Sequence, residues 1–314
     1  MNPEELKLKY SYYRFFTEYL VGERGASSHT IRSYSDTFTL VLTYMDKVLG
    51  KAADRLALNH FTRETVLGFL DWVQKDRKCS NSTRNQRLAA LHSFFGYMQY
   101  EDVKRLLDFA ISKFRDIDIW INNAGMAPTS IKEFHELDPE KIQATVNTNI
   151  LGTLYGSQVA ISQMKDKGGM IYNLEGFGST GMVRKGMQVY GTTKNSIAYI
   201  RKALSHEYKD SNVKICSIQP GMAVTNLILP REPGEKFDKS AYWVFNVISD
   251  TTENIAAKIV PLIKANTKGN KVLKYSSMAK TIWNFFTSWR FKDRFFDAEG
   301  TLKIQKIEDK ILQE

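Results

Sequence analysis

Cysteine is scarce in this sequence. The 314 residues include two, Cys79 and Cys216, which are too few for a disulfide framework and suit a reducing compartment. Long apolar runs are missing as well, because none approaches the roughly 20 residues that cross a bilayer. The first residues, MNPEELKLKY, are charged and lack the apolar core of a signal peptide. These absences predict a cytoplasmic protein.

Metal-ligand patterns are also absent from the sequence. His135 and His206 have no Cys or carboxylate partners at metal-ligand spacing, so no metal site is expected. The hydrophobic fraction of 43% and the charged fraction of 25% are those of a globular protein, not a disordered one. The length allows one large domain or two ordinary ones.

Charge does not locate a binding surface. The net charge is +10, from 44 Lys and Arg against 34 Asp and Glu. Residues 1–100 carry 14 against 10, a balance of +4, and the remainder carries 30 against 24, a balance of +6. A basic chain is compatible with a nucleic-acid partner. The even distribution, taken alone, favours an ordinary solvated surface.

Residues 1–100 have the pattern of helices. Apolar residues recur at helical spacing in LKYSYYRFFTEYL, and Ser27 or Ser28 can cap a second helix that Gly50 ends. The buried stripe of that second helix is predicted to be Ile31, Tyr34, Phe38, Leu42 and Met45. Thr62 can cap a third helix, and Ser80-Asn81-Ser82 opens a fourth. The prediction is an all-α four-helix bundle.

The pattern changes after Gln99. A helix-like stretch, DVKRLLDFAISKF, precedes the strand IDIWI at 117–121, and further strands are predicted at 168–174 and 212–220. Strands that alternate with helices indicate βαβ units and an α/β fold with a parallel sheet between flanking helices. The boundary, MQYEDVKR, has no Pro, Gly or Ser linker. Two domains are therefore predicted, 1–100 and 101–314, joined without a spacer.

Four motifs follow one another in the second half. They are INNAG at 121–125, VNTNILG at 146–152, YGTTK at 190–194 and PGMAVT at 220–225. Each is weak alone, but in this order and spacing residues 101–298 resemble a short-chain dehydrogenase/reductase. YNLEGFGS with YGTTK is similar to the chlorophyll b reductase branch of that family. The resemblance implies a Rossmann-like parallel sheet, NAD or NADP as cofactor, and oxidoreductase chemistry on a carbonyl/alcohol pair.

The resemblance also implies roles for individual residues. Tyr190 would be the general acid or base, and Lys194, one helical turn further on, would favour its phenolate and hold the nicotinamide ribose. Asn149 would support a water near the lysine. Ser179 is the nearest candidate for the substrate-orienting serine, with a loop serine of no catalytic role as the alternative. The remaining cofactor-binding positions that the resemblance implies are Asn122, Ala124, Gly125, Pro220, Gly221 and Thr225.

The first part of the family pattern is missing. Ahead of INNAG the resemblance implies a strand, a Gly-rich turn of the TGxxxGIG type, a helix and two further strands. That turn brings the backbone and a helix N-terminus to the cofactor pyrophosphate. The upstream glycines, at positions 22, 25, 50, 68 and 96, never form the pattern. We therefore expect a truncated reductase domain whose binding of NAD or NADP is impaired.

The first half resembles a different family. SSHTIRSYSDTFTLVLTYM at 27–45 and CSNSTRNQRLAALHSFFGYMQYE at 79–101 are similar to the core-binding, SAM-like domain of tyrosine recombinases and phage integrases, over residues 11–100. The resemblance implies duplex DNA as partner and a link to DNA integration or recombination. The positions implied to meet DNA phosphates are Thr30, Arg32, Ser33, Thr83, Arg84, Asn85 and Arg87. No recombinase catalytic constellation surrounds Tyr275, the last tyrosine, so strand cleavage is not expected.

The C-terminal segment TIWNFFTSWRFKDRFFD, at 281–297, interleaves aromatic and basic residues. It could lie on a membrane surface, but packing onto the sheet or onto a dimer partner is favoured. Because the strand at 117–121 lacks the neighbour that the family places beside it, association through an exposed edge is also expected.

Three hypotheses for function follow. The first is a recombinase-type DNA-binding domain fused to an inactive, truncated reductase. The second is an NAD(P)-dependent oxidoreductase that acts through Tyr190 and Lys194 and whose missing cofactor half is supplied by a partner subunit or replaced by an unusual binding mode. The third is a joining of two gene fragments without a joint function, and the sequence does not separate the first from the third.

Overall fold

The computed structural model describes residues 3–127, 132–225, 239–297 and 303. The chain divides into two compact units, residues 1–106 and 107–314. The first unit is helical and the second contains a parallel sheet with helices, so the predicted order of a helical segment followed by a Rossmann-like α/β fold is confirmed. The predicted domain boundary at residue 100 stays a prediction.

The helices of the first unit begin where the sequence offers caps. They are α1 (Pro3–Arg14, continued by π-helical Phe15–Glu23), α2 (Ser28–Lys47), α3 (Arg63–Lys75) and α4 (Asn81–Phe114), with 3₁₀ turns at Ala53–Arg55 and Leu58–His60. Ser27 accepts a hydrogen bond from the Thr30 amide, and Thr62 accepts one from the Thr65 amide. These bonds satisfy amides that have no partner inside the helix.

The core of this unit is aromatic. Phe15 is fully buried, and its ring centroid lies 5.2 Å from that of Phe94 and 5.4 Å from that of Tyr97. Phe38 and Met45 of the predicted α2 stripe are buried, and the other three members pack against the same cluster. The stripe is therefore confirmed.

One helix is longer than the sequence patterns indicate. Two helices are predicted on either side of residue 100, but α4 runs without interruption from Asn81 to Phe114. The predicted break is wrong because MQYEDVKR contains neither Pro nor Gly, so nothing in the backbone ends the helix there.

The second unit is built on a four-stranded parallel sheet in the order β1-β2-β3-β6. The strands are β1 (Ile119–Asn122), β2 (Gly169–Leu174), β3 (Val213–Gln219) and β6 (Val272–Lys274), and a separate pair is formed by β4 (Met222–Ala223) and β5 (Ser249–Asp250). The three predicted strands are confirmed as β1, β2 and β3. The sequence patterns did not predict β6.

Helices flank the strands of this unit. They are α5 (Pro139–Val146), α6 (Gly152–Met164, preceded by π-helical Asn147–Leu151), α7 (Gln188–Glu207), α8 (Lys239–Ile248), α9 (Thr252–Ala265) and α10 (Met278–Phe286), with 3₁₀ turns at Phe134–Glu136 and Ser288–Phe291. None of the helices in the described ranges has the length and hydropathy needed to cross a membrane.

Both faces of the sheet are covered. Ile171 and Ile215 pack against Met164 of α6, whereas Tyr172 packs with Ile259 of α9. Neighbouring residues of β2 therefore point to opposite faces, and both faces are apolar, as expected for a parallel sheet.

Candidate functional site

Tyr190 and Lys194 lie together on α7, at the ends of two neighbouring strands. Both side chains are buried. The Lys194 ammonium donates a hydrogen bond to the carbonyl of Leu174, the last residue of β2, at 2.9 Å, and lies 5.7 Å from the centroid of the Tyr190 ring. The spacing of four residues on one helix brings the two groups to the same face, as predicted.

The pKa of the tyrosine differs from the expectation. Burial raises the pKa of the Tyr190 hydroxyl to about 12, although the sequence predicted that Lys194 would favour the phenolate. Burial also lowers the pKa of the Lys194 ammonium to about 8, and the nearby Glu175 carboxylate acts in the opposite direction. In each group the loss of surrounding water disfavours the charged form.

The side chain of Asn149 links the loop after β1 to α7 through hydrogen bonds. It is fully buried within the π-helical turn before α6, a distortion that is frequent at functional sites. Its Oδ1 accepts from the Met126 amide at 2.7 Å, and its Nδ2 donates to the Met126 carbonyl and to Thr193 Oγ1, both at 2.9 Å. Asn149, Tyr190 and Lys194 are thus brought together by packing and hydrogen bonds.

Two glycines leave room for these groups. A Cβ on Gly125 would lie 3.7 Å from Lys194 Nζ and 3.6 Å from Asn149 Oδ1. A Cβ on Gly176 would lie 2.6 Å from the Tyr190 hydroxyl oxygen, which is closer than real Cβ contacts occur. The Tyr190 hydroxyl therefore lies directly against the backbone of Gly176.

Ser179 belongs to a different part of the site. Its Oγ accepts a hydrogen bond at 3.3 Å from Gln219 Nε2, which also donates to Glu175 Oε2 at 2.7 Å. Glu175 forms a buried ion pair with Arg201 of α7, whose Nε lies 3.2 Å from Glu175 Oε1. The sequence patterns did not predict a role for either member of this pair. The signal was available, because Arg201 follows Lys194 by seven residues and so lies on the same face of the helix.

The positions implied to bind cofactor do not all face open space. The Asn122 side chain donates to Asn173 Oδ1 at 2.8 Å and to Ser157 Oγ at 3.1 Å, and it accepts from Trp120 Nε1 at 2.8 Å, so it joins β1 to β2 and α6. Ala124 and Gly125 are exposed.

The loop after β3 carries the other positions. Pro220 and Thr225 are half-buried, and Gly221 adopts a φ of +76° beside the Tyr275 ring. In this conformation a side chain would be strained, so glycine suits the position.

The chain fits only part of a nicotinamide dinucleotide. The resemblance of the sequence motifs implies that Tyr190, Lys194 and the loop after β3 belong to the nicotinamide end. The pyrophosphate end requires a Gly-rich turn between a strand and a helix, but the described residues before β1 form helices and 3₁₀ turns. The residues present therefore do not fit the whole cofactor.

The predicted DNA contacts surround the first turns of α2 and α4. Arg32 and Asn85 are exposed, whereas Thr30, Ser33, Thr83 and Arg84 are half-buried. Arg87 is held internally, because its Nη1 donates to the Ser33 carbonyl at 2.9 Å and to Thr37 Oγ1 at 3.0 Å. Arg87 therefore joins the N-terminal halves of α2 and α4.

No group of three or more His, Cys, Asp or Glu side chains that could hold a metal ion occurs in the part of the chain that the structure describes.

The family model for short chain dehydrogenase matches residues 57–236, more than half of the chain. A predicted chlorophyll(ide) b reductase of the chloroplast from Oryza sativa subsp. japonica is 29% identical over 278 residues, which are 83% of this chain and 54% of that protein. The chain thus spans about half the length of the curated relatives it matches.

A third similarity concerns the helical segment. A predicted integrase/recombinase from Sinorhizobium fredii is 39% identical over 87 residues, which are 28% of this chain and 26% of that protein.

Among solved structures, the 3-ketoacyl-(acyl-carrier-protein) reductase from Brucella melitensis complexed with NADH is 21% identical with a TM-score of 0.49, and the match covers 56% of this chain and 72% of that one.

Proposed function

The chain belongs to the short-chain dehydrogenase family, and from that premise we propose that it is a DNA-binding protein in which a recombinase-type, SAM-like four-helix bundle is joined to an incomplete reductase. One observation carries the proposal. Where the family needs a Gly-rich turn followed by two strands, this chain has α4, whose first turns carry Arg84 and Arg87. The reductase part keeps Tyr190, Lys194 and Asn149, and the residues that the structure describes include no Gly-rich turn for the pyrophosphate.

The arrangement of α2 and α4 supports the DNA-binding part of the proposal. Arg87, near the start of α4, donates hydrogen bonds to Ser33 and Thr37 of α2, so the N-terminal halves of the two helices are joined. Each N-terminus carries a partial positive charge and free backbone amides, which attract phosphate. Arg32 is exposed on the first turns of α2 and can add its own charge. Contacts of this kind bind the DNA backbone without reading its sequence.

A salt titration of the full chain on duplex DNA tests this proposal. Arg32→Ala combined with Arg84→Ala removes two proposed phosphate contacts and spares Arg87, which the fold uses. Affinity should fall with rising salt, and the slope of log K against log salt should become shallower by about 1.8, or about 0.9 for each lost phosphate contact. Fluorescence anisotropy with two unrelated duplexes measures both quantities.

The matched control is Lys47→Ala combined with Arg55→Ala. Both residues are exposed, and Lys47 lies in the last turn of α2, about 22 Å along the helix from Arg32. This variant loses the same charge and should keep the slope of the wild type. Equal losses in the two variants would show that overall charge binds the DNA and would reject the proposed surface.

The second part of the proposal is that the chain does not bind NADH or NADPH tightly. Charge-assisted hydrogen bonds contribute roughly 1.5–3 kcal/mol each. Losing two or three pyrophosphate contacts therefore weakens binding by about two to six orders of magnitude, at 1.4 kcal/mol for each factor of ten. Titration of NADPH fluorescence with the full chain should show no saturation below about 100 micromolar, a limit set by that expected loss.

A second candidate function is a reductase completed by a partner subunit. It is favoured by the hydrogen bonds that hold Asn149, Thr193 and Met126 together beside Lys194 and Tyr190. In this case the Tyr190 hydroxyl would exchange a proton with the substrate oxygen, and Lys194 would hold the charge that this exchange requires. Saturable NADPH binding together with turnover that Tyr190→Phe abolishes would establish this function and reject the proposal that the chain does not bind NADPH tightly.

A further inference from the structure

The aromatic residues near the C-terminus fall into two groups. Phe295 and Phe296 are buried and pack with Tyr242 and Phe245 of α8. Met278, Ile282, Trp283, Phe286 and Trp289 are exposed instead, whereas Phe285 and Phe291 are half-buried. The sequence favours packing of the whole segment 281–297 onto the protein. In the structure only part of that segment packs in this way.

The exposed residues form one face. Met278, Ile282 and Phe286 recur at intervals of four residues, which places them along one side of α10, and Trp289 follows in the 3₁₀ turn Ser288–Phe291. Trp283 is adjacent to this row. The exposed fractions are 63% for Trp283, 73% for Phe286 and 72% for Trp289. We refer to these five residues as the apolar face of α10.

The opposite side of α10 attaches it to the protein. The Phe285 ring lies 5.5 Å from the ring of Trp243, and Asn284 Nδ2 donates to the Val247 carbonyl at 3.2 Å, so both contacts reach α8. Ser277 caps the helix by accepting from the Lys280 amide. The helix is thus fixed by its polar and inner residues while its apolar face points outward.

The sequence before and within α10 is rich in Lys and Arg, and the next acidic residue after it is Asp293. From Asn254 to Lys292 the sequence contains eight Lys and Arg and no Asp or Glu. Lys280, Arg290 and Lys292 are exposed within and directly after α10. A second copy of the chain seated on the same face would bring like charges together, which is unfavourable. An anionic surface is complementary to it.

We propose that the apolar face of α10 inserts into the headgroup region of an anionic lipid bilayer, with the helix parallel to the membrane plane. Tryptophan rings prefer the boundary between headgroups and acyl chains, and basic residues beside an apolar face add attraction to anionic lipid. The nine residues of α10 span about 13.5 Å, less than half of the roughly 30 Å hydrocarbon core, so the helix lies on the membrane without crossing it.

Flotation of the full chain with vesicles tests the proposal. Vesicles of phosphatidylcholine alone are compared with vesicles that contain about one third phosphatidylglycerol, at low and high salt. The wild type should float with the anionic vesicles, and binding should weaken at high salt because surface charges are screened. The emission of Trp283 and Trp289 should shift to shorter wavelength in the same samples.

Two double variants give the test its specificity. Trp283→Ser with Phe286→Ser removes the centre of the apolar face and should lower the bound fraction at least tenfold. Phe109→Ser with Phe114→Ser is the control, because these residues of α4 are equally exposed, at 60% and 74%. The control should float like the wild type, and far-ultraviolet circular dichroism checks that both variants are folded.

Several results would overturn the proposal. Equal binding by both double variants would show that the apolar face is not the contact. Binding to phosphatidylcholine as strong as to anionic vesicles would reject the role of charge. Lipid-free self-association that Trp283→Ser with Phe286→Ser abolishes, with no flotation of the wild type, would identify the face as an interface between copies of the chain.

Discussion

The side-chain ammonium group of Lys194 is buried. Its pKa is lowered to about 8 because burial disfavours the charged form, and Glu175 compensates for this only in part. Below pH 8 the folded chain must therefore hold a buried charge. Tyr190 has the opposite character, because burial raises its pKa to about 12 and keeps its hydroxyl protonated. At neutral pH the site holds a neutral phenol beside a charged lysine.

The first prediction concerns stability and pH. Between pH 8 and the ordinary lysine value of 10.5 the unfolded chain binds a proton at Lys194 that the folded chain has released. The free energy of unfolding of the wild type therefore rises with pH in this interval. Tyr190 acts between pH 10 and 12, where the folded chain keeps a proton that the unfolded chain loses, so its contribution falls as pH rises.

Lys194→Met removes the buried charge and should raise the free energy of unfolding at pH 7 by about 1 to 3 kcal/mol. The difference in the free energy of unfolding between Lys194→Met and the wild type should decrease as the pH approaches 9.5. Urea unfolding at pH 7, 8 and 9.5 measures it. Lys202→Met is the control, because Lys202 is exposed on the same helix and should show neither effect. A gain that does not depend on pH would contradict the assignment of the effect to the charge of Lys194.

At the scale of elements, α6 and β1 approach closely because position 156 has no side chain. A Cβ on Gly156 would overlap the Asn122 amide oxygen and lie 3.2 Å from Trp120 Nε1. The Asn122 amide cannot move aside without losing its bonds to Ser157 and Asn173. Gly96 differs from Gly156 in its surroundings. It lies inside α4, and a Cβ added there would have no neighbouring atom within 4 Å.

These two glycines give the second prediction. Gly156→Ala should lower the free energy of unfolding by about 1 to 3 kcal/mol, because the overlap outweighs the helix propensity that alanine adds. Gly96→Ala should raise it by roughly 0.5 to 1 kcal/mol, since it brings the propensity gain without an overlap. Chemical unfolding of both variants measures the contrast. A gain in both would show that α6 can move away from β1.

At the scale of the whole molecule, β1 is where association is expected. Within the described ranges, β1 pairs with β2 along one edge and has no strand on the other. Ile119 and Ile121 are exposed on it. An apolar strand with unpaired backbone groups is a template for pairing with another chain. We therefore expect self-association that depends on this edge.

The third prediction is that Ile121→Lys reduces this association. A charged side chain on an edge strand opposes pairing with a second strand. Sedimentation velocity at several protein concentrations should show smaller species for Ile121→Lys than for the wild type. The control is Val183→Lys, because Val183 lies on a loop and is 94% exposed. If both lysine variants dissociate equally, net charge and not the edge strand governs association.

Much of the fold follows from local patterns. The strand at 117–121, the spacing of Tyr190 and Lys194, and the caps Ser27 and Thr62 were predicted because each depends on residues within a few positions of one another. The short strand β6 was not predicted, since its three residues are too few for a pattern. Its position is set by pairing with β3, from Ser217 with Val272 to Gln219 with Lys274.

The sequence by itself determined the helices of the first half, the strands β1, β2 and β3, the family that each half resembles, and the absence of a Gly-rich motif ahead of INNAG. Only the tertiary structure decided that Arg87 is bonded to α2, that Glu175 pairs with Arg201, and that Trp283 and Phe286 of α10 point outward while Phe295 and Phe296 are buried. The physical reason is the distance along the chain. Propensity, capping and periodicity act between neighbours, whereas burial and ion pairing depend on residues that are brought together from far apart.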